Sequence, residues 1–221
     1  DKEGFCSVIM EGRGIPAKGA FPGSFSYGND AVETVSYDPE EAKKLLEKSG
    51  WTDTDGDGYV DKDGQKLTIN WLTYPTRLEQ PKLAEYAQAT LKEIGIDVSV
   101  NNTSDHRTYA ENGEFDVYVS SLTTAPTGDP EYFFSSTVTG SKNYGNYQND
   151  EVTKLTEQLH QTFDTDERGK LAVELQQKIL DADAYFFVSR LNMGIVTKAN
   201  VTGMAAHPCD YYEITADLDV Q

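Results

Sequence analysis

The sequence has few of the features on which membrane-spanning and metal-scaffolded proteins depend. No 18-residue apolar run occurs in its 221 residues, so we expect no helix that crosses a bilayer. Only two cysteines are present, Cys6 and Cys209, and neither stands in a C-x-x-C or C-x-x-H pattern. This spacing excludes a zinc ribbon and a thioredoxin-like redox motif.

Positive charge is also scarce. There are 19 Lys and Arg residues against 37 Asp and Glu residues, which gives a net charge of −18. Nucleic acids and anionic membrane surfaces are therefore poor partners, because binding to either needs clustered basic residues. What is present is a globular composition, with 38% hydrophobic and 11% aromatic residues, in a chain long enough to bury a core.

The two ends of the chain carry information about processing and redox setting. The chain opens with DKEGFCSVIMEG, without an initiator Met and without a charged-then-apolar leader, which favours a processed protein or a piece of a longer one. A disulfide between Cys6 and Cys209 fits an extracellular setting, and two buried free thiols are the other interpretation. The spacing of the two residues does not decide between them.

Local patterns in the first 50 residues predict three elements. The segment 5–10 (FCSVIM) predicts a short buried strand, and the Gly- and Pro-rich segment 12–29 predicts a loop. A helix is expected over 38–49. Asp38 is a natural N-cap for that helix, and Pro39 fits its first position.

From Lys66 onward the spacing of apolar residues switches between strand and helix periods. Alternation predicts strands at 67–71, 96–100 and 115–119. Helical spacing predicts a helix at 83–94 and a short one within 104–113. Strand, helix, strand, helix, strand at this spacing indicates an α/β fold with a mainly parallel sheet flanked by helices.

The remainder of the chain is mainly helical before it returns to strand-like patterns. Two apolar stripes predict two helices, formed by Val152, Leu155, Leu159 and Phe163 and by Leu171, Leu175 and Ile179. The segments AYFFVSRLN and YEITADLDVQ are strand-like. The terminal strand needs a neighbour, and the segment 5–10 is a candidate.

The segment DTDGDGYVDKDG resembles a calcium-binding loop. Asp53, Asp55 and Asp57 offer carboxylates at positions 1, 3 and 5. Asp61 stands at position 9, but position 12 is Gly64 instead of the bidentate Glu. An acidic hairpin turn without metal is the other interpretation. If calcium binds, the chain is a calcium-stabilised extracellular binding module, which is the alternative function.

Topology predicts where a ligand binds. In open parallel sheets, ligands lie beyond the carboxyl ends of the strands, which here are Thr73–Arg77, Asn101–Ser104 and Leu122–Asp129. Arg77 immediately precedes a helix start, and together they suit a carboxylate. Asp129 suits an ammonium group or a cation.

Catalysis has no support in the sequence. No H-E-x-x-H, G-x-S-x-G or Walker A string is present, and His106, His160 and His207 are scattered. Ser104 is the nearest candidate for the nucleophile of an α/β hydrolase, but no elbow glycines flank it. We therefore expect a protein that is not an enzyme.

Six segments, in this order along the chain, resemble one protein family. They are YDPEEAKKLLEKSGW, DGDGYVDKDGQKLTI, LAEYAQATLKEIGIDVSV, GEFDVYV, GDPEYFF and DERGKLAVELQQKIL. They are similar to the C-terminal half of the solute-binding proteins (family 5) that serve peptide and nickel ABC importers. The GRGIPAKGAFPG segment also resembles the loop that follows the hinge in that family.

The resemblance implies a periplasmic-binding-protein-like (type II) lobe that spans 1–221. In it, 1–30 is a hinge-proximal strand and loop, and 31–221 is the α/β lobe. The implied partners are a missing N-terminal lobe of the same protein, the membrane permease of an ABC importer, and an oligopeptide or nickel-chelate ligand. The implied location is extracytoplasmic, in the periplasm or on the cell surface as a lipoprotein.

The resemblance also implies site residues. Asp129 stands where the peptide-binding branch receives the α-amine of a peptide. The segment around Arg77 is closer to the nickel branch, where the Arg meets a carboxylate of the chelator. Without a paired-His motif, His207 is the one candidate for direct nickel ligation. The expected ligand-binding residues are Tyr74, Thr76, Arg77, Thr124, Thr127 and Asp129.

Overall fold

The structure is a computed structural model that describes residues 1–206 and 214–221. It divides into two units, each of which is built from two segments of the chain. Unit 1 comprises Asp1–Gly12 and Val35–Ser121, and unit 2 comprises Arg13–Thr34 and Leu122–Gln221.

Strands and helices alternate over residues 68–118, and the rest of the described chain contains runs of helices and runs of short strands. The strands are β1 (Gly14–Pro16), β2 (Asp61–Lys62), β3 (Gln65–Lys66), β4 (Thr68–Thr73), β5 (Asp97–Asn102), β6 (Val117–Tyr118), β7 (Ser189–Leu191), β8 (Val201–Thr202) and β9 (Asp219–Val220). The helices are α1 (Lys2–Gly4), α2 (Pro39–Lys48), α3 (Glu79–Lys92), α4 (His106–Glu111), α5 (Glu131–Phe133), α6 (Asp150–Gln161) and α7 (Thr165–Asp181). Two π-helical stretches continue α1 and α5, Phe5–Ile9 and Phe134–Val138, and a 3-10 turn covers Asn29–Ala31. No helix in the described part of the chain combines the length and the hydropathy needed to cross a membrane.

A three-stranded parallel sheet organises unit 1. β4 lies between β5 and β6, and Trp71 of β4 pairs with Val100 of β5 and with Val117 of β6. α3 connects β4 to β5 and packs on both strands, while α4 connects β5 to β6. The predicted α/β fold with a parallel sheet is confirmed. This arrangement brings the carboxyl ends of the three strands to one edge of the sheet.

Helix ends in unit 1 follow local signals. The carboxylate of Asp38 accepts a hydrogen bond from the N–H of Glu41 (2.9 Å), and Pro39 occupies the first position of α2. The residues that follow α2 and α3 include Gly50 and Gly95, which have φ values of +85° and +80°. This left-handed conformation favours glycine and stops each helix.

The predicted strand at 5–10 is wrong, because these residues are helical. Asp1 caps the helix by accepting a hydrogen bond from a backbone N–H of its first turn. Phe5 and Cys6, which are adjacent, are both buried, whereas Val8 is 71% exposed. A strand would have buried alternate residues. An apolar run this short does not distinguish a buried strand from a buried helical turn.

Aromatic rings fill the core of unit 2. Phe21 is fully buried and makes edge-to-face contacts with Tyr27, Phe133 and Phe134, with centroid distances of 5.0, 6.0 and 5.8 Å. α6 and α7 pack on each other and contribute the aliphatic part of this core. The buried cluster comprises Ala20, Phe21, Tyr27, Phe133, Phe134, Val138, Val152, Leu159, Leu171, Ala172, Leu175 and Ile179.

One residue of the predicted stripe on α6 lies outside the core. Val152 and Leu159 are buried, but Phe163 is 90% exposed. α6 ends at Gln161, and Thr162 has an extended backbone with φ −96° and ψ 124°. Phe163 therefore lies beyond the helix and does not point to its buried side. The prediction that Phe163 belongs to the apolar stripe of α6 is wrong.

The pairing expected for the terminal strand is also wrong. β9 pairs antiparallel with β8, with Val220 opposite Val201, and not with the segment 5–10. A helical segment offers no strand edge, which explains the difference. Within the predicted loop at 12–29, β1 forms a short antiparallel pair with β7, in which Ile15 lies opposite Arg190.

Candidate functional site

Three aromatic side chains meet at the carboxyl edge of the parallel sheet in unit 1. Tyr74 follows β4, His106 begins the helix after β5, and Tyr118 ends β6. The imidazole ring of His106 stacks on the Tyr74 ring with a centroid distance of 4.1 Å and an interplanar angle of 23°. Its Nδ1 lies 2.7 Å from the hydroxyl oxygen of Tyr118. We call these three residues the aromatic cluster.

The surroundings of His106 favour the neutral form of its imidazole. Burial lowers its pKa from the ordinary value, and the charge of Arg107 lowers it further, while Asp105 opposes both effects. A neutral imidazole has one donor and one acceptor nitrogen. Nδ1 is engaged with Tyr118, and in the described part of the chain Nε2 has no hydrogen-bond partner. That nitrogen is therefore available to a ligand.

A chain of hydrogen bonds ties the aromatic cluster to the start of α3. The backbone N–H of Ser121 donates to the Tyr74 hydroxyl oxygen (3.1 Å). The hydroxyl of Ser121 donates to Glu79 Oε1 (2.9 Å) and accepts from Gln80 Nε2 (2.6 Å). These bonds hold Tyr74 in place by groups from α3 and from the segment after β6.

Two buried polar atoms beside this network are unsatisfied. Thr73 is fully buried and Gln80 is 4% exposed. Thr73 Oγ1 and Gln80 Oε1 have no hydrogen-bond partner among the residues that the structure describes. Buried polar atoms are ordinarily paired with protein, water or ligand. Both atoms are closed off from solvent, so a ligand reaches them only if the surrounding side chains move.

The predicted loop Thr73–Arg77 leads directly into α3, as expected. Its last carbonyl, that of Arg77, accepts a hydrogen bond from the N–H of Gln80 (3.1 Å). The side chains of Thr76 and Arg77 are exposed, and within the described residues the guanidinium of Arg77 makes no ion pair. Arg77 is therefore free to bind a carboxylate from solution.

The predicted residues of the third loop belong to unit 2. The Thr124 hydroxyl donates to the carbonyl of Ala20 (2.8 Å), and Thr127 is exposed. Both carboxylate oxygens of Asp129 accept hydrogen bonds from Arg168, at 2.8 and 2.6 Å. Burial alone raises the pKa of Asp129, but the hydrogen bonds from Arg168 and from the Glu131 N–H outweigh it and lower the pKa. Asp129 as the receptor of an amine stays a prediction, and its existing partner weighs against it.

Three of the four predicted calcium ligands lie together. Carboxylate oxygens of Asp53, Asp55 and Asp61 lie within 4.8 Å of one another. Asp57 instead forms an ion pair with Lys66 at 2.6 Å, and the hydrogen bond from that lysine lowers the pKa of the Asp57 carboxyl. The clustered carboxylates accept hydrogen bonds from backbone N–H groups of their own loop. These hydrogen bonds within the loop are the ones expected for an acidic turn without metal, which is the second interpretation of this segment.

Two predictions fall on residues outside the described part of the chain. His207, the nickel candidate, and Cys209, the proposed partner of Cys6, lie in the segment 207–213. Cys6 itself is buried, and burial raises the pKa of its thiol. The nickel and disulfide predictions therefore stay predictions.

A second concave surface in unit 1 does not coincide with the aromatic cluster. It is an open groove of about 380 Å³ along the middle of β4 and β5, lined by Asn70, Ser99, Asn101 and Tyr109 among others. The amide of Asn70 already donates to Asp116 (2.9 Å). We place the candidate site at the aromatic cluster, because the strand ends and an available imidazole nitrogen converge there.

The sequence analysis does not select His106 and Tyr118. For His106 the signal is its position two residues beyond Asn101–Ser104, one of the three predicted strand ends. Tyr118 carries no such signal, because its contact with His106 arises only when β6 pairs beside β4.

The sequence is similar to a known protein family and to characterised members of it. The sequence model of "Bacterial extracellular solute-binding proteins, family 5 Middle" matches residues 1–145. Oligopeptide-binding protein AppA of Bacillus subtilis (strain 168) is 31% identical over 226 residues, which cover 97% of this chain and 41% of AppA. The nickel-binding periplasmic protein of Escherichia coli (strain K12) is 29% identical over 197 residues, which cover 85% of this chain and 37% of that protein.

A solved structure shows the same fold. NikA from Staphylococcus aureus, in complex with Ni(L-His)2, matches with a TM-score of 0.79 at 24% identity, over 100% of this chain and 46% of that one. This likeness confirms the predicted periplasmic-binding-protein-like α/β fold. The chain spans about two fifths of the length of its curated relatives. Since the family match covers residues 1–145 and AppA is 31% identical across nearly all of the sequence, the chain belongs to the bacterial extracellular solute-binding proteins of family 5.

Proposed function

We propose that residues 1–221 are the C-terminal, ligand-binding lobe of an extracytoplasmic solute-binding protein. The complete protein lies in the periplasm or on the cell surface as a lipoprotein. It captures an oligopeptide or a nickel-chelate and delivers it to the membrane permease of an ABC importer. Family membership supports this role. The fraction of its relatives that the chain spans supports its assignment as one lobe, completed by an N-terminal lobe.

The observation that carries the proposal is the aromatic cluster at the carboxyl edge of the sheet. Tyr74 is buried and supports the half-buried ring of His106 that stacks on it, and this aromatic surface gives a ligand apolar contact with fixed geometry. The unpaired Nε2 of His106 supplies a hydrogen bond. Apolar surface with a few polar groups is typical of small-molecule sites.

Arg77 supplies the charge that the ligand needs. Peptides and the usual nickel chelators both carry carboxylates, and a guanidinium binds a carboxylate with two parallel hydrogen bonds. Arg77 is exposed beside the start of α3, where the helix dipole also favours an anion. The rest of the chain is strongly acidic. Arg77 therefore selects the acidic end of the ligand.

The mechanism is binding and release without catalysis. A two-lobed receptor closes when the ligand contacts both lobes, and closure is driven only by the difference in affinity between the open and closed states. This chain supplies one set of contacts. We therefore expect it to bind ligand weakly when it is separated from the N-terminal lobe.

Calorimetry on the complete receptor tests the proposal. The probes are trialanine, Ni²⁺ alone, and Ni²⁺ with L-histidine. Binding of trialanine alone identifies a peptide receptor, and binding of nickel only with L-histidine identifies a chelate receptor. Absence of binding by all three probes, together with a panel of longer peptides, contradicts the proposed function.

Arg77→Ala then tests the site. We expect the dissociation constant to rise about tenfold or more, because a charge-assisted pair with the ligand carboxylate is lost. Lys92→Ala is the matched control, since it removes an exposed positive charge from the opposite end of α3. Equal effects of the two changes contradict a specific contact by Arg77.

A further inference from the structure

Arg168 makes an unusual number of contacts for one side chain. It lies on α7, and only 14% of its side chain is exposed. Its Nε and Nη2 donate to the two carboxylate oxygens of Asp129, at 2.8 and 2.6 Å, and Nη2 also donates to Glu131 (3.0 Å). Bidentate guanidinium–carboxylate pairs fix geometry as well as charge.

The other end of the same guanidinium binds the end of α6. Nη1 donates to the backbone carbonyls of Leu159 (2.6 Å) and Thr162 (2.5 Å). Carbonyls at the C-terminal end of a helix lack their full set of intrahelical partners. Arg168 therefore pairs the carbonyl of Thr162 and adds a second donor to that of Leu159, which also accepts from the Thr162 N–H (3.3 Å). Arg168 thus joins three segments of unit 2, namely α6, α7 and the loop that ends at Asp129.

That loop contains Leu122–Asp129, one of the three predicted ligand-contacting segments, and we call residues 122–130 the 122–130 loop. It is anchored at two further points. The Tyr27 hydroxyl donates to the carbonyl of Gly128 (2.6 Å), and Thr124 donates to the carbonyl of Ala20 (2.8 Å). Thr127 lies between these anchors, Thr123 lies just before the first of them, and both are exposed. The backbone next to the exposed residues is therefore fixed by hydrogen bonds to buried or half-buried groups.

We infer that Arg168 is a positioning residue for ligand binding, acting through Asp129 on the 122–130 loop. Asp129 serves as the partner of Arg168, and the loop presents Thr123 and Thr127 to the ligand in one arrangement. Pre-ordering a loop removes part of the entropy cost of binding. This inference rests on the proposed function, because it assumes that the loop contacts the transported ligand.

Amide hydrogen exchange on this chain tests the positioning directly. In Arg168→Gln we expect the hydrogen-bonded amides of Gly128 and Glu131 to exchange about tenfold faster or more, because local opening becomes easier. Asp129→Asn keeps the side-chain shape, and we expect it to accelerate the same amides. Lys170→Gln removes an exposed charge from the same helix and is expected to leave the loop at the wild-type rate.

The exchange experiment decides the inference even if one variant is unstable. If Arg168→Gln unfolds as a whole, amide exchange is measured in Asp129→Asn and in Arg168→Lys instead. Arg168→Lys keeps the positive charge but loses the bidentate pair with Asp129. Wild-type exchange in the loop of a folded Arg168→Gln or Asp129→Asn variant overturns the inference, whether or not a ligand has been found.

Binding to the complete receptor separates positioning from direct contact. Trialanine and N-acetyl-trialanine differ only in the free amine. We expect Asp129→Asn and Arg168→Gln to weaken both peptides by the same factor, about tenfold, and the double variant to be no worse than either alone. A loss confined to the free-amine peptide makes Asp129 an amine anchor and overturns the inference. If the wild type binds no probe, the proposed function fails, and the exchange result still decides the role of Arg168 in the loop.

Discussion

The imidazole of His106 lies almost parallel to the ring of Tyr74, with 4.1 Å between the centroids. The two residues come from different strand ends, 32 positions apart in the sequence (106 − 74). Their contact fixes the beginning of α4 against the end of β4. The same burial that permits the stacking lowers the pKa of His106. The contact thus sets the geometry of the candidate site, and the accompanying burial favours the neutral imidazole.

Replacement of His106 tests the role of the aromatic cluster. In the complete receptor we expect His106→Ala to raise the dissociation constant about tenfold, because both the stacked surface and a hydrogen bond are lost. His106→Phe keeps the aromatic surface but loses the hydrogen bond, so we expect its dissociation constant to lie between those of the wild type and of His106→Ala. Calorimetry with the probe that the wild type binds measures the effect. Glu111→Gln, on the exposed side of the same helix, is the control, and a wild-type affinity for His106→Ala contradicts the proposal.

Stability is expected to fall with acid in two stages. The pKa of His106 is lowered in the folded chain from 6.5, so the unfolded state takes up a proton first, and stability is lost as the pH falls below about 6.5. The pKa of Glu131 is lowered from 4.5 by its hydrogen bond with His160, and Arg168 adds to this effect. Together with Asp129, it stabilises the fold above pH 4.5, and this contribution is lost as the pH falls further.

Urea unfolding at pH values from 8 to 3 measures both stages. His106→Phe is expected to remove the upper stage and to keep the lower one. Asp129→Asn is expected to shrink the lower stage only. An upper stage that persists unchanged in His106→Phe contradicts the assignment to His106.

The two phenylalanines Phe21 and Phe163 differ sharply in burial, at 0% and 90% exposed. We expect Phe21→Ala to lower the free energy of unfolding by about 3–5 kcal/mol, because it leaves a cavity among three aromatic rings. Phe163→Ala is the matched control and is expected to change it by less than about 0.5 kcal/mol. Chemical denaturation measures both values. Similar effects of the two changes contradict the described end of α6.

A buried polar side chain connects two segments of unit 2. Gln176 is fully buried, its Oε1 accepts from the N–H of Ala20 (2.9 Å), and its Nε2 donates to the carbonyl of Tyr27 (2.7 Å). Gln176→Leu leaves both backbone groups unpaired, so we expect a loss of about 2–4 kcal/mol in the free energy of unfolding. Gln161→Leu, at the exposed end of α6, is the control. A Gln176→Leu variant as stable as the control contradicts this account.

Much of the fold follows from local sequence. Asp38 and Pro39 mark the start of α2, Gly95 marks the end of α3, and alternation marks β4 and β5, because capping, backbone conformation and side-chain period act over a few residues. The parallel order also follows, since a helix between two strands returns the chain in the same direction. The loops at the strand ends, with Arg77 among them, follow from that order.

Other features depend on contacts between residues that are distant in the sequence. The segment 5–10 is helical, Phe163 leaves the stripe of α6, and Asp129 pairs with Arg168, 39 positions away. Short apolar runs and single charges are compatible with several local conformations, and packing selects among them. Local sequence determined the strand and helix framework and the edge of the sheet where a ligand is expected. Only the tertiary structure brought Tyr74, His106 and Tyr118 together there, because strand pairing and helix packing decide which side chains meet.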